Sequence, residues 1–198
     1  MIKAIIFDFG GVFSIDDNIP KFLQTNSERL GIDPEEVGKI SLAIWQEARV
    51  GKIDSNIFWE KLGALAKMKP ENFKKYFTES FGFRQELYDY VKKNLYGKYK
   101  LAILSNQIES WLEPILEEKK FKEIFDVIVT SYNTGFAKPD IKIYEKVLQD
   151  LKLPADQCIY VEDRPANLEP AKNLGMYVIE FKKFDQFIAD LDNLLGKR

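Results

Sequence analysis

The sequence contains no histidine, and Cys158 is its single cysteine. Without imidazole, the chain cannot build a Ser/His/Asp or Cys/His pair for nucleophilic catalysis, nor a histidine-ligated zinc or iron site. A single cysteine forms no disulfide within the chain, and we interpret Cys158 as a small buried hydrophobic residue. Any hydrolytic chemistry must therefore rely on carboxylates, lysine or hydroxyl groups.

The chain also lacks a surplus of charge and any long apolar run. Its 29 basic and 31 acidic residues give a formal net charge of -2, which does not predict binding to nucleic acid or anionic lipid. The N-terminal apolar run meets Asp8 before the apolar region of a signal peptide develops, and no later stretch approaches the ~20 apolar residues of a membrane span. We therefore expect a cytoplasmic protein without nucleic-acid or membrane partners, whose oligomeric state is unknown.

Short apolar runs alternate with amphipathic segments along the chain. Each run ends in polar residues, and the runs are Ala4–Phe7, Leu101–Leu104, Val127–Val129, Ile159–Val161 and Tyr177–Ile179. Unbroken runs of this length are typical of strands buried on both faces, and helical periodicity separates most of them. This alternation predicts an α/β fold with a doubly wound parallel sheet.

Three helices are predicted in the second half of the chain. Apolar residues recur at helical spacing over 141–151, with Pro139 in the first turn. A shorter helix is expected over 165–174, ending at Gly175, and a third over 184–195.

The region 15–83 differs because it contains no convincing strand. The segment Asp33–Glu36 combines an N-cap, a first-turn proline and a capping-box glutamate, and the helix that it starts ends near Gly51. Ser55 is predicted to cap a second helix, and Pro70 opens a third.

The chain is therefore expected to have two parts. Residues 1–14 and 84–198 form the α/β core, and residues 15–83 form an all-helical insertion after the first strand. The many aromatic residues of the insertion are most simply the core of a helical bundle.

Two polar clusters follow the first two long apolar runs, at the edge where open parallel sheets bind their ligands. Asp8 ends the first run and precedes the turn Gly10-Gly11, so that a carboxylate and freely oriented backbone groups can meet one ligand. Ser105 and Asn106 end the second run. Read alone, the first cluster is equally a glycine turn after a strand, and the second a helix cap.

Two further clusters carry charge. Lys138 precedes Pro139 at the start of a predicted helix, where it can neutralise an anion or remain a solvated lysine. Glu162 and Asp163 end another buried run, and adjacent carboxylates repel each other unless a positive charge lies nearby. A hard divalent cation such as Mg²⁺ satisfies that need, and Arg164 is the competing explanation.

In this order, the four clusters resemble the motifs of the haloacid dehalogenase (HAD) superfamily of phosphohydrolases. They read IIFDFGGV at Ile5–Val12, LAILSN at Leu101–Asn106, GFAKPD at Gly135–Asp140 and YVEDRPANLEPAKNLGM at Tyr160–Met176. The resemblance covers nearly the whole chain, and the helical insertion is similar to the C1-type cap that closes over the site in this family. A receiver domain shares some of these residues, but its acidic pair comes first in the chain and here it comes last.

The resemblance implies a chemistry of phosphate transfer to a carboxylate. Asp8 attacks phosphorus and forms an aspartyl-phosphate, which water then hydrolyses. Magnesium is bound by the Asp8 carboxylate, the Gly10 carbonyl and Asp163, with Glu162 assisting directly or through water.

The remaining motif residues are implied to hold the phosphate. Ser105 and the amide of Asn106 bind the phosphoryl oxygens, and Lys138 balances the charge of the phosphate and Asp8. Asn167 is expected to order the acidic loop.

Gly10 is the one departure from the family's phosphatase pattern, which has a second Asp there as general acid and base. Such help is worth roughly 10²–10⁴-fold in rate. A branch with Gly at this position, with FDxGxV-type motifs, includes sugar phosphatases that act on glucose 1-phosphate, whose anomeric oxygen is a better leaving group. Asp16 or Asp17 is a candidate substitute for the missing acid.

The leading hypothesis is thus a Mg²⁺-dependent phosphatase of a small phosphorylated metabolite, and the resemblance to the branch with Gly at position 10 implies a sugar phosphate. The alternatives are a non-catalytic or regulatory phosphate-binding protein and a 2-haloacid dehalogenase, against which the acidic pair speaks. Specificity is expected in the turn between two cap helices, where Arg49 and Lys52 are candidates to meet a second anionic group or are simply solvated. Trp45 and Trp59 either line the pocket or fill the bundle.

Overall fold

The computed structural model describes residues 1–15 and 18–196. The strands are β1 (Ala4–Phe7), β2 (Ser14–Ile15), β3 (Gly82–Phe83), β4 (Lys100–Ser105), β5 (Val127–Thr130), β6 (Cys158–Glu162) and β7 (Tyr177–Glu180). The α-helices are α1 (Ile19–Thr25), α2 (Ser27–Leu30), α3 (Pro34–Ala48), α4 (Ser55–Leu65), α5 (Pro70–Thr78), α6 (Gln85–Tyr90), α7 (Glu109–Glu118), α8 (Ser131–Thr134), α9 (Ile141–Leu151), α10 (Pro165–Asn173) and α11 (Phe184–Leu194). Across these described ranges, no helix has both the length and the apolar character needed to cross a bilayer.

The main sheet has five parallel strands in the order β5-β4-β1-β6-β7. Because side chains alternate along a strand, Ile5 and Phe7 of β1 lie in one apolar cluster while Ala4 and Ile6 lie in another. Both clusters are fully buried, with one on each face of the sheet. The prediction of a doubly wound α/β sheet is confirmed.

The helices of the second half lie where the periodicity predicts them, with one correction. Helix α9 begins at Ile141, and its N-cap is Asp140, whose carboxylate accepts a hydrogen bond from the Lys142 backbone N–H. Pro139 therefore precedes the cap instead of lying in the first turn, because the side chain of Asp140 satisfies the first backbone donors more directly.

Helices α1–α5, which we call the cap, are inserted between β2 and β3. These two strands pair antiparallel at its base, so the expectation of no strand within 15–83 is wrong at both ends. Two-residue strands are too short to show an alternating pattern. Phe58, Phe73 and Phe77 are buried in the cap, as a bundle core requires, whereas the exact division at 14/15 and 83/84 remains a prediction.

Side-chain caps start the two long cap helices. Asp33 accepts hydrogen bonds from the Glu35 and Glu36 backbone N–H groups at the start of α3, as predicted. At α4, however, the N-cap is Asp54, which accepts from the Asn56 N–H at 2.7 Å, and Ser55 is the first helical residue. The prediction that Ser55 caps α4 is wrong by one position, because an aspartate directly before it satisfies the same donor.

We expect Asp54→Ala to lower the free energy of unfolding by about 1 kcal/mol, the usual effect of removing an N-cap. Ser55→Ala is the matched control and is expected to cost less, since its hydroxyl makes only a 3.5 Å contact with the Ser110 N–H. Urea unfolding of both variants measures the difference. An equal loss in both would contradict the assignment of Asp54 as the cap.

Candidate active site

The four polar clusters meet at the carboxyl edge of the sheet. Asp8 follows β1, which is central, while Ser105 and Glu162 end its two neighbours β4 and β6. Lys138 reaches the same point from the loop before α9. The parallel topology therefore brings together residues that lie up to 154 positions apart in the chain, Asp8 and Glu162.

Lys138 is the charged centre of this edge. Its ammonium lies 2.9 Å from Asp8 Oδ1 and 2.7 Å from Glu162 Oε2, and the residue is only 2% exposed. The alternative of a solvated lysine is therefore excluded. Asn106 fixes the backbone of Lys138 from both sides, because its Oδ1 accepts from the Lys138 N–H and its Nδ2 donates to the Lys138 carbonyl.

Ser105 presents a hydroxyl that the protein itself does not use. The residue is 1% exposed, and its Oγ is buried without a hydrogen-bond partner in the described part of the chain. A buried hydroxyl left unpaired is costly, so a ligand atom is its natural partner. Neither Ser105 nor Asn106 caps a helix, since α7 starts at Glu109.

Tyr160 belongs to this network, although sequence reasoning did not single it out. Its hydroxyl accepts a hydrogen bond from Lys138 Nζ at 3.0 Å and donates to Glu162 Oε2 at 2.5 Å. Tyr144 packs edge-on against its ring. The available signal was the two-residue spacing of Tyr160 and Glu162, which places both side chains on one face of β6.

Three carboxyl groups converge beside Lys138. Ligand oxygens of Asp8, Glu162 and Asp163 lie within 4.8 Å of one another. Asp163 sits against the glycine turn: Gly11 has a φ of +73°, and a Cβ there would lie 2.2 Å from Asp163 Oδ2. Asp163 Oδ1 is buried without a hydrogen-bond partner among the described residues.

The pKa values of these three acids follow from their burial, their closeness to one another and the position of Lys138 between Asp8 and Glu162. Burial, followed by the charge of Glu162, raises the pKa of Asp8 to about 8. Burial and the neighbouring Glu162 raise the pKa of Asp163 to about 7. Burial also opposes ionisation of Glu162, but Lys138 outweighs it and lowers the pKa of Glu162 to about 2.

These residues fit a divalent cation. Asp8 and Asp163 resist ionisation because they are buried beside the charge of Glu162, and a cation with oxygen ligands would offset both effects. Glu162 is already engaged, with Oε2 on Lys138 and Tyr160 and Oε1 accepting from the Arg164 N–H. Magnesium would accordingly be held by Asp8 and Asp163 first, with Glu162 beside them.

A small cavity of about 130 Å³ lies between this edge and the cap. The core contributes Asp8, Gly10, Asn106, Gln107, Lys138, Arg164 and Asn167, and the cap contributes Asn18, Ile19, Pro20, Leu42, Trp45 and Arg49. Sites for drug-sized ligands typically measure about 300–1,000 Å³. The cavity is therefore sized for a small metabolite.

Of the four cap residues considered from the sequence, two line the cavity and two do not. Arg49 and Trp45 line it. Lys52 is exposed away from it, and Trp59 is buried, with its Nε1 donating to Ser110 Oγ on the core. Arg164 is exposed and makes no ion pair with Asp163 within the described ranges.

No second carboxylate reaches the cavity from the described residues. Asp8 is the one acid that lines it there, and Gly10 stands where the general acid of related phosphatases is expected. Asp16 and Asp17, the candidate substitutes, lie outside the described residues.

Comparison with known proteins settles the family. The model of the haloacid dehalogenase-like hydrolase family matches residues 5–181. The chain belongs to this family. It is 30% identical over 190 residues to the D-ribitol-5-phosphate phosphatase of Bacteroides thetaiotaomicron, covering 88% of this chain and 89% of that protein. Drimenol cyclase drtB of Aspergillus calidoustus is 24% identical over 202 residues, and the chain spans 37% of its length.

A solved structure of the same architecture supports the fold. The HAD family enzyme bt-2542 of Bacteroides thetaiotaomicron superposes with a TM-score of 0.81 at 18% identity, covering 98% of both chains. That enzyme has also been solved in complex with magnesium and inorganic phosphate, with a TM-score of 0.74. The predictions of a HAD-like fold and a hydrolase are confirmed, and the C1 and glucose-1-phosphatase-like branch remains a prediction.

Proposed function

We propose that this HAD-family hydrolase is a Mg²⁺-dependent phosphatase of a small sugar or polyol phosphate, with Asp8 as the nucleophile. The observation that carries the proposal is the buried Asp8–Lys138–Glu162 array, with Asp163 and the unpaired Ser105 hydroxyl beside it, under a cavity of about 130 Å³. The relative that acts on D-ribitol 5-phosphate and the phosphate bound to bt-2542 support the same class of substrate.

Asp8 performs a double displacement. Its carboxylate attacks phosphorus, the bond from phosphorus to the leaving oxygen breaks, and the phosphoryl group passes to Asp8. Water then attacks the phosphorus of the aspartyl-phosphate and releases inorganic phosphate and free Asp8. Ser105 donates to a phosphoryl oxygen, and Lys138 holds the attacking carboxylate in place and balances charge.

Asp8, Asp163 and the Gly10 carbonyl would hold magnesium, with Glu162 beside them, and the bound ion would supply positive charge to the phosphoryl oxygens. The leaving oxygen departs without a carboxylic acid from the described cavity wall. A substrate with a stabilised leaving group, such as a glycosyl phosphate, depends least on that help.

The experiment is phosphate release from a panel of sugar and polyol phosphates, including glucose 1-phosphate and ribitol phosphate, with added Mg²⁺. Removal of the metal with EDTA should abolish release. No turnover on any member, together with intact binding of inorganic phosphate, would instead favour a non-catalytic phosphate-binding protein.

Asp163→Asn is expected to raise the Mg²⁺ concentration required for half-maximal rate by at least roughly 10-fold. Even the loss of a residue that only hydrogen-bonds a metal ligand typically lowers metal affinity or activity roughly 10- to 100-fold. Asp156→Asn is the matched control, because Asp156 is exposed just before the start of β6, at the opposite end of the strand. Titration of the rate with Mg²⁺ measures both. An unchanged requirement in Asp163→Asn would remove Asp163 from the metal site.

A further inference from the structure

Two arginines line the cavity, one from the cap and one from the core. Arg49 is the C-terminal cap residue of α3, and Arg164 follows β6 in the acidic loop. Arg49 is half-buried, and its Nε is buried without a hydrogen-bond partner. Within residues 1–15 and 18–196, no carboxylate forms an ion pair with either guanidinium.

Among the described residues, neither arginine is therefore neutralised by a carboxylate in direct contact with it. Lys138 is already matched by Asp8 and Glu162, whereas Arg49 and Arg164 line the cavity without an ion pair in the part of the chain that the structure describes. Burial, and then the charge of Arg164, lowers the pKa of Arg49, so the arrangement is costly without an anion.

We propose that Arg49 and Arg164 bind a second anionic group of the substrate, a carboxylate or a second phosphate, on the leaving-group side of the transferred phosphoryl group. The inference rests on the proposed phosphatase function and narrows its substrate to a sugar or polyol phosphate with two anionic ends. Guanidinium groups suit this role because their planar donor pairs match the oxygens of carboxylates and phosphates.

The position of Arg49 separates this site from the one for the transferred phosphoryl group. Ser105 and Lys138 lie at the sheet edge, whereas Arg49 comes from the cap together with the apolar side chains of Leu42 and Trp45. An anion that contacts Arg49 on the cap and Arg164 on the core also ties the two parts together over the substrate. Binding of the second group would then favour the closed cavity.

The test compares matched substrates that differ by one anionic group: glycerol phosphate against phosphoglycerate, and a hexose monophosphate against its bisphosphate. In Arg49→Met, kcat/KM should fall roughly 10- to 100-fold for the doubly anionic member, the range for losing a charge-assisted hydrogen bond. The monophosphates should change less than about 3-fold. Lys39→Met on the same helix, exposed and paired only with Glu35, is the control that should change neither.

An equal fall for both members of each pair, or no fall for either, would overturn the proposal, since Arg49 would then serve the transferred phosphoryl group or no ligand. Arg49→Lys should recover part of the lost rate, and its failure to exceed Arg49→Met counts against charge recognition. The melting temperature of the Asp8→Asn variant, measured with Mg²⁺ and each ligand in turn, reports ligand binding without turnover. If the wild type hydrolyses nothing, the proposed function fails. The second anion site then stands only if phosphoglycerate raises the melting temperature of Asp8→Asn more than glycerol phosphate does, and if adding Arg49→Met removes that difference.

Discussion

Replacing Asp8 by Asn is expected to reduce the rate of phosphate release by at least roughly 10⁴-fold, because loss of a catalytic nucleophile removes the covalent route. The fold should be retained. Asn preserves the shape of Asp8, and its amide oxygen can still accept the hydrogen bond that Phe9 N–H donates to Asp8 Oδ1 at 2.6 Å. Initial rates with saturating Mg²⁺ measure the effect.

The matched control for Asp8→Asn is Asp126→Asn. Asp126 is a carboxylate at the opposite end of the sheet, where it accepts from the Leu101 backbone N–H. It should leave kcat within about 2-fold. Equal rates in wild type and Asp8→Asn would remove Asp8 from the chemistry and leave the phosphatase without a nucleophile.

Lys138→Met is expected to lower the free energy of unfolding by about 3–5 kcal/mol, as removal of one partner from a buried ion pair does. The substitution leaves Asp8 and Glu162 buried side by side without their shared cation. Urea unfolding in EDTA measures the loss. Adding Glu162→Gln to Lys138→Met should recover part of it, because the second variant removes the uncompensated charge.

Lys146→Met provides the comparison for that loss. Lys146 also pairs with a carboxylate, Asp150, but on the exposed side of α9, where such a pair contributes about 0–1 kcal/mol. A loss in Lys138→Met that is no larger than in Lys146→Met would show that the buried array does not stabilise the fold.

Strands and motif clusters could be predicted from the sequence because both depend on local residue order. The buried runs are apolar on both faces of the sheet. The polar residues at their ends, such as Asp8 and Ser105, lie together because the strands are parallel and end at the same edge of the sheet. Two-residue strands such as β2 leave no such pattern. The sequence does not distinguish Asp54 from Ser55 as the N-cap of α4, because both are good capping residues by type and only the backbone geometry separates them.

Tyr160 and Arg49 mark the limit of sequence reasoning at the site. A tyrosine within a buried strand is indistinguishable by type from ordinary core, and its hydroxyl gains a role only because Lys138 arrives from a distant loop. The sequence points to the turn with Arg49 and Lys52 for specificity, and that role stays a prediction. Which of the two faces the cavity depends on how the end of α3 is oriented over the sheet, and that is decided by tertiary packing.

The central claim is that the phosphoryl group passes through Asp8, and the stereochemical course at phosphorus tests it most directly. A phosphorothioate monoester made chiral with oxygen isotopes is hydrolysed by the wild-type enzyme with Mg²⁺ in isotopically labelled water. Each in-line displacement inverts phosphorus, so transfer to Asp8 followed by hydrolysis predicts overall retention. Overall inversion would mean direct attack by water and would contradict a covalent intermediate on Asp8.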